Sequence, residues 1–181
     1  MEEKDRQNSF WNAKLPIEER LDWLLANMTL EEKIMQTDQH AAYYFSDNDA
    51  DGFVKELHLE KLDELFHGNS VGSIQLRGCT AAQANEIQRY AVEKTRLGIP
   101  FLFSEEALHG FMSKDATCFP QQIGLAATFH PELGYEMGRC IATEAYVCGV
   151  RETFSPVMDL IRDPRYGRGE ESYGEDVHLC A

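Results

Sequence analysis

Val71 to Phe103, VGSIQLRGCTAAQANEIQRYAVEKTRLGIPFLF, holds a complete strand–helix–strand unit. Val71 to Leu76 alternates and reads as a short strand that ends near Arg77-Gly78. Thr80 has the hydroxyl that caps a helix, and Ala81 to Arg96, rich in Ala, Gln and Glu, supplies that helix, closed by Gly98. Ile99-Pro100-Phe101-Leu102-Phe103 is a compact apolar run, the signature of a strand buried on both faces. Strand, helix and strand in this order imply parallel strands joined by a right-handed crossover.

The same rhythm continues downstream. Pro131 opens a helix expected to reach Cys148 and to end at Gly149, and Thr153 to Met158 begins another strand. A last helix starts at Asp176. Upstream, Pro16 to Asn27 carries Ile17, Leu21, Leu24 and Leu25 on one stripe, with Pro16 suited to the first helical turn. Thr29 and Glu32 have capping-box spacing, so a second helix starts at about Leu30. Ala41 to Gly52 is polar and turn-rich and reads as a loop, while Phe53 to Phe66 has apolar residues at helix-like intervals. The expected class is therefore α/β with a parallel sheet. Doubly wound sheets and barrels both fit the element order.

Composition excludes several partners. The 181 residues hold 31 acidic and 17 basic side chains, a formal net charge of −14, and 43% are apolar. An acidic surface repels phosphate backbones and anionic lipid, so neither nucleic acid nor membrane is an expected partner. A neutral sugar meets no such barrier. Met1 to Asn12 is polar and has no apolar leader core, and no segment approaches a membrane span in length. Cys79, Cys118, Cys140, Cys148 and Cys180 include no CxxC pair, and this odd count reads as reduced thiols in a cytoplasmic protein. Cys140 and Cys148, which can share a helix face, read as buried thiols rather than a ligand pair. No HxxxH pair suggests a metal, and no GxGxxG or GxxxxGK[ST] loop suggests a nucleotide, so no cofactor is expected.

In parallel α/β architectures, chemistry gathers at the carboxyl ends of the strands. Two such ends are polar here: Ser104-Glu105-Glu106-Ala107-Leu108-His109-Gly110, and the run from Asp159 to Asp176, LIRDPRYGRGEESYGE between them. A carboxylate from one and guanidinium groups from the other can grip adjacent hydroxyls, because carboxylates accept, guanidinium donates in a fixed fork, and sugar hydroxyls do both. Each residue also has a plainer reading. Glu105 and Glu106 fit solvated loop charges, His109 fits a packed histidine bonded to backbone, and the charges from Arg162 to Asp176 fit a salt-bridge lattice.

Four blocks together are similar to a known family: LPIEERLDWLLANMTLEEKIMQ, LGIPFLFSEEALHG, CFPQQIGLAATFHPELGYEMGRCIATEAYVCGV and TFSPVMDLIRDPRYGRGEESYGED. They resemble, in order, the catalytic barrel of family 3 glycoside hydrolases, in the β-glucosidase and β-xylosidase branch. The resemblance implies a partial TIM-type (β/α) barrel, the N-terminal portion only. Residues 1–69 would form a helical lead-in and loop, and 70–181 the first β/α units. It further implies a retaining, exo-acting β-glycosidase that removes terminal non-reducing sugars through two carboxylic acids, with a small oligosaccharide or β-glycoside as substrate. In the family the nucleophile and the acid/base lie on later segments, so neither is expected before Ala181. The chain would be an inactive fragment that needs the rest of its barrel and a following domain.

Substrate grip is what the resemblance places within these residues. It implies that Glu106 and Arg168 hold the terminal sugar, with Arg165 a second candidate, and that His109, Glu171 and Asp159 stand behind them and orient them. The Ser46-Asp47 dipeptide superficially matches the nucleophile but precedes the first strand read from the sequence, and is rejected. The alternatives are a β-xylosidase of the same family, a non-catalytic sugar-binding remnant, and a doubly wound enzyme of unrelated chemistry.

Overall fold

The structure, a computed structural model, describes residues 9–181. Residues 1–8 of the polar N-terminal stretch thus lie outside the described residues.

Helix α1, Ile17–Asn27, follows Pro16, which stands one place ahead of the helix as its N-cap. Helix α2, Leu30–Met35, has the expected capping box, with Thr29 accepting from the Glu32 amide and Glu32 reaching back. The chain then enters strand β1, Gln39–Ala41, which pairs in parallel with β4, Ser73–Gln75. The sequence reading missed β1 because three residues are too few to show alternation. The expected loop from Ala41 to Gly52 is instead a 3-10 turn, Ala42–Phe45, and strand β2, Ser46–Asn48. Strand β3, Val54–Leu57, pairs antiparallel with β2, and helix α3 follows at Glu60–Phe66. The helix-like intervals from Phe53 onward were therefore half strand.

From β4 onward the reading holds closely. Helix α4, Ala81–Lys94, is boxed by Thr80 and Gln83. Strand β5 is Leu102–Glu105, shifted toward the polar loop because Pro100 has no amide to give a ladder. A short helix α5, Gln122–Ala126, interrupts what looked like a long loop. Helix α6 is Pro131–Val147, with Pro131 at its start and Gly149 just beyond in the left-handed region at φ 96°. Strand β6 keeps only Glu152–Thr153; Val157, further along, bridges Ser172. Helix α7, Val177–Cys180, is capped by Asp176.

The larger sheet runs β1-β4-β5-β6, every pair parallel. Each strand is laid beside its predecessor in chain order with no reversal. A doubly wound sheet has a reversal point, whereas a (β/α) barrel adds strands in one direction, so the order favours the barrel. Alternation splits the faces. Ile74 and Phe103 join the core with Ile87, Ala91 and Ala145 from the helices. Ser73 and Ser104 instead meet Gln39, whose side-chain amide donates to both hydroxyls at 3.1 and 2.9 Å.

The apolar stripe of α1 does not enter this core. Ile17 is 68% exposed, Leu21 45% and Leu25 57%. Cys140 is exposed and Cys148 half-buried, so the expected burial fails for Cys140. Among the described residues no helix is long and apolar enough to cross a membrane.

Candidate functional site

β5 delivers two adjacent glutamates to the carboxyl edge of the sheet, and strand alternation sends them apart. Glu105 is fully buried. Its Oε1 accepts from the Glu106 amide at 2.9 Å and from Gln75 Nε2 at 3.0 Å, and its Oε2 accepts from the Gly78 amide at 3.1 Å. The solvated reading of Glu105 is thereby overturned: a carboxylate with three donors arranged around it tolerates burial that a bare one would not. Burial still holds its carboxyl above the usual range, against the pull of those hydrogen bonds.

Glu106 faces a cavity of about 460 Å³ whose lining includes Phe53, Arg77, Met112, Arg168 and Glu171. A second depression of about 430 Å³ shares Glu106 and Arg168 and adds Met158 and Asp159. The carboxylate-bearing and guanidinium-bearing residues therefore line both hollows together, and the Arg168 charge acts on Glu106. Burial raises the Glu106 carboxyl; the positive charge of Arg168 opposes this, Glu171 adds to it, and Arg77 opposes it again. Glu106 Oε2 is buried and accepts no hydrogen bond.

Arg168 is held by Glu171, whose Oε2 accepts from Nε at 2.5 Å. That contact leaves the terminal nitrogens of the fork for other acceptors. His109 lines the same cavity, and its Nδ1 lies 3.1 Å from the Phe119 carbonyl, as the packed-histidine reading expected. Asp159 lines the second depression and accepts from the Tyr166 hydroxyl at 3.4 Å. Arg165 behaves differently. Its side chain is 89% exposed, pairs with Asp163 at 2.5 Å and lines neither hollow. Asp47 also lines neither; it sits on β2 with His58 Nε2 3.0 Å away. It follows the sheet strand β1 rather than preceding the first strand, a correction that does not bring it nearer the cavity.

Arg77 and Phe53, both in the cavity wall, escaped the sequence reading. Arg77 stands at the carboxyl end of β4, a position that the rule of strand ends would have flagged. Its Nη1 donates to the Met112 sulfur at 3.6 Å, a weak acceptor. Phe53 reaches the cavity from the turn between β2 and β3, and Lys114 ties that turn down through Asp49. The hairpin has no signature that points to a pocket.

With this geometry in view, comparison with known proteins is specific. A model described as the glycosyl hydrolase family 3 N terminal domain matches residues 29–181. A putative beta-xylosidase of Formosa agariphila is 35% identical over 177 residues, covering 96% of this chain and 23% of the relative. The periplasmic beta-glucosidase of Salmonella typhimurium is 32% identical, over 97% of this chain and 21% of its own length. Among solved structures, a β-glucosidase from Erythrobacter marinus superposes with a TM-score of 0.76 at 28% identity, over 96% of this chain and 23% of that one. The beta-glucosidase of Listeria innocua in complex with glucose gives 0.72 at 33% identity, over 91% and 22%. The chain thus spans about a quarter of the length of the relatives it matches.

Proposed function

The chain belongs to glycosyl hydrolase family 3, matching its N-terminal domain over residues 29–181, and on that premise we propose that it supplies the sugar-holding part of a retaining, exo-acting β-glycosidase. Glu106 and Arg168 are the residues that hold the terminal sugar in this reading. Glu171 fixes Arg168, and His109 and Asp159 brace the loops on either side. Residues 70–181 carry successive β/α units, and residues 1–69 lead into them and lend the sheet β1. The two reacting carboxylates come from outside these residues, so the chain binds sugar without cleaving it.

One observation carries the proposal. Glu106 lines a hollow together with Arg168, and its Oε2 is buried and accepts no hydrogen bond. An unmet buried carboxylate oxygen costs free energy that a donated hydroxyl would relieve. Beside it stands a guanidinium able to donate to the neighbouring oxygen of the same ring. Arg165, paired outward with Asp163, has no part in this reading.

The test is a titration of methyl β-D-glucoside into the chain, followed by amide chemical shifts. Saturable shifts around Glu106 and Arg168, lost in Arg168→Ala, are expected; no saturable shift there contradicts the proposal. β-Xylosidase is the second reading, favoured by the xylosidase-named relative. Tighter binding of methyl β-D-xyloside than of the glucoside would select it. The five free thiols support a reducing compartment, the cytoplasm, although one relative is named periplasmic.

A further inference from the structure

The buried glutamate beside the sugar-facing one has no part in that grip, yet it touches both walls of the site. Glu105 Oε2 accepts from the Gly78 amide at the end of β4, and Oε1 accepts from the Glu106 amide at the end of β5. Arg77 and Gly78 both lie in the left-handed region, at φ 53° and 74°. That conformation is unfavourable for arginine and needs something to hold it. The Gly78 amide is presented to Glu105 by this turn, and Arg77 is thereby carried to the cavity wall, where it lines the same hollow as Glu106.

We infer that Glu105 is a positioning residue: one buried carboxylate clamps the ends of two neighbouring strands and so sets the placement of Arg77 and Glu106 toward the ligand. The inference rests on the proposed sugar site but concerns a residue that never meets the sugar. Its carboxylate has no exposed surface and is closed in by Gln75, Gly78 and Glu106 donors. The neighbouring Cys79 thiol is pushed up to about 12, by burial first and then by the charge of Glu105, so that thiol stays protonated beneath the clamp. Side-chain amides cannot replace the carboxylate. A glutamine that keeps Oε1 on Glu106 and Gln75 turns its NH2 toward the Gly78 amide, donor against donor.

Two measurements on the 181-residue chain test the clamp. In the unliganded wild type, an NMR experiment that detects scalar coupling across hydrogen bonds reads from the Gly78 and Glu106 amide nitrogens to the Glu105 carboxyl carbon. Both couplings are expected, and the absence of either overturns the clamp. In Glu105→Gln the Gly78 coupling is lost, the Glu106 coupling remains, and methyl β-D-glucoside binds more weakly on the order of tenfold, as for loss of a charge-assisted hydrogen bond. A folded Glu105→Gln chain that binds with wild-type affinity reduces Glu105 to a structural group and overturns the inference. Should that variant not fold, the wild-type couplings decide alone. A wild type that shows both couplings but binds no glucoside sinks the sugar reading and leaves the clamp standing.

Discussion

Glu106 combines burial, an unmet oxygen and two opposed neighbours, and each has a consequence that can be read in solution. Because burial raises its carboxyl, the folded chain holds that proton to higher pH than the unfolded chain does. Stability tied to Glu106 is full below the ordinary value of 4.5 and is lost as pH rises from there through its raised folded value. Glu106→Gln removes the charge that burial penalises. Its melting temperature should exceed that of the wild type at pH 7, with the gap closing toward pH 4, as thermal unfolding across that range would show. Glucoside binding should fall together with this gain, the trade typical of a functional group held at a cost. Arg165→Ala, by contrast, should leave glucoside affinity within about twofold, since surface pairs such as Arg165–Asp163 contribute little. The family resemblance implied Glu106 with Arg168 and offered Arg165 as a second candidate; in the folded loop Arg168 lines the hollow with Glu106, whereas Arg165 pairs outward with Asp163.

At the level of elements, the strongest signals were local and chemical. Thr29 with Glu32, Thr80, and Asp176 each mark a helix start that the structure keeps. What eluded the reading depends on distant partners: β1 is a strand only because β4 lies beside it, and the hairpin holding Phe53 is tied down by Lys114. The amphipathic stripe of α1 gave the helix but not its packing, and here Ile17 and Leu25 face outward. Leu25→Glu should therefore change stability by no more than about 0.5 kcal/mol. Ile87→Ala, in the packed face of α4 with no exposure, should cost roughly 2–5 kcal/mol in chemical denaturation. At the entry to β4, a Cβ on Gly72 would overlap the backbone carbonyl of Gln36. Gly72→Ala should cost roughly 1–3 kcal/mol, as other overpacked positions do.

At the scale of the whole molecule, four parallel strands laid down in chain order bring the ends of β4, β5 and β6 to one rim. Residues far apart in sequence meet there, Phe53, Arg77, Glu106 and Arg168 among them. The acidic balance, −14 over the chain, suits a neutral ligand at that rim, where the cavity sets carboxylates against guanidinium groups. On the proposed reading the reacting carboxylates are not among these residues, and the chain alone should show no turnover of an aryl β-glucoside. Turnover abolished by Asp47→Ala would instead place a nucleophile on the hairpin.

A crystal structure of the chain with methyl β-D-glucoside would show whether Glu106 and Arg168 hold one sugar ring. The sugar ring should lie between the two side chains, one hydroxyl within about 2.6–3.2 Å of the Glu106 carboxylate and another on the Arg168 guanidinium. A sugar bound anywhere that leaves the Glu106 carboxylate without a donated hydroxyl would contradict that grip.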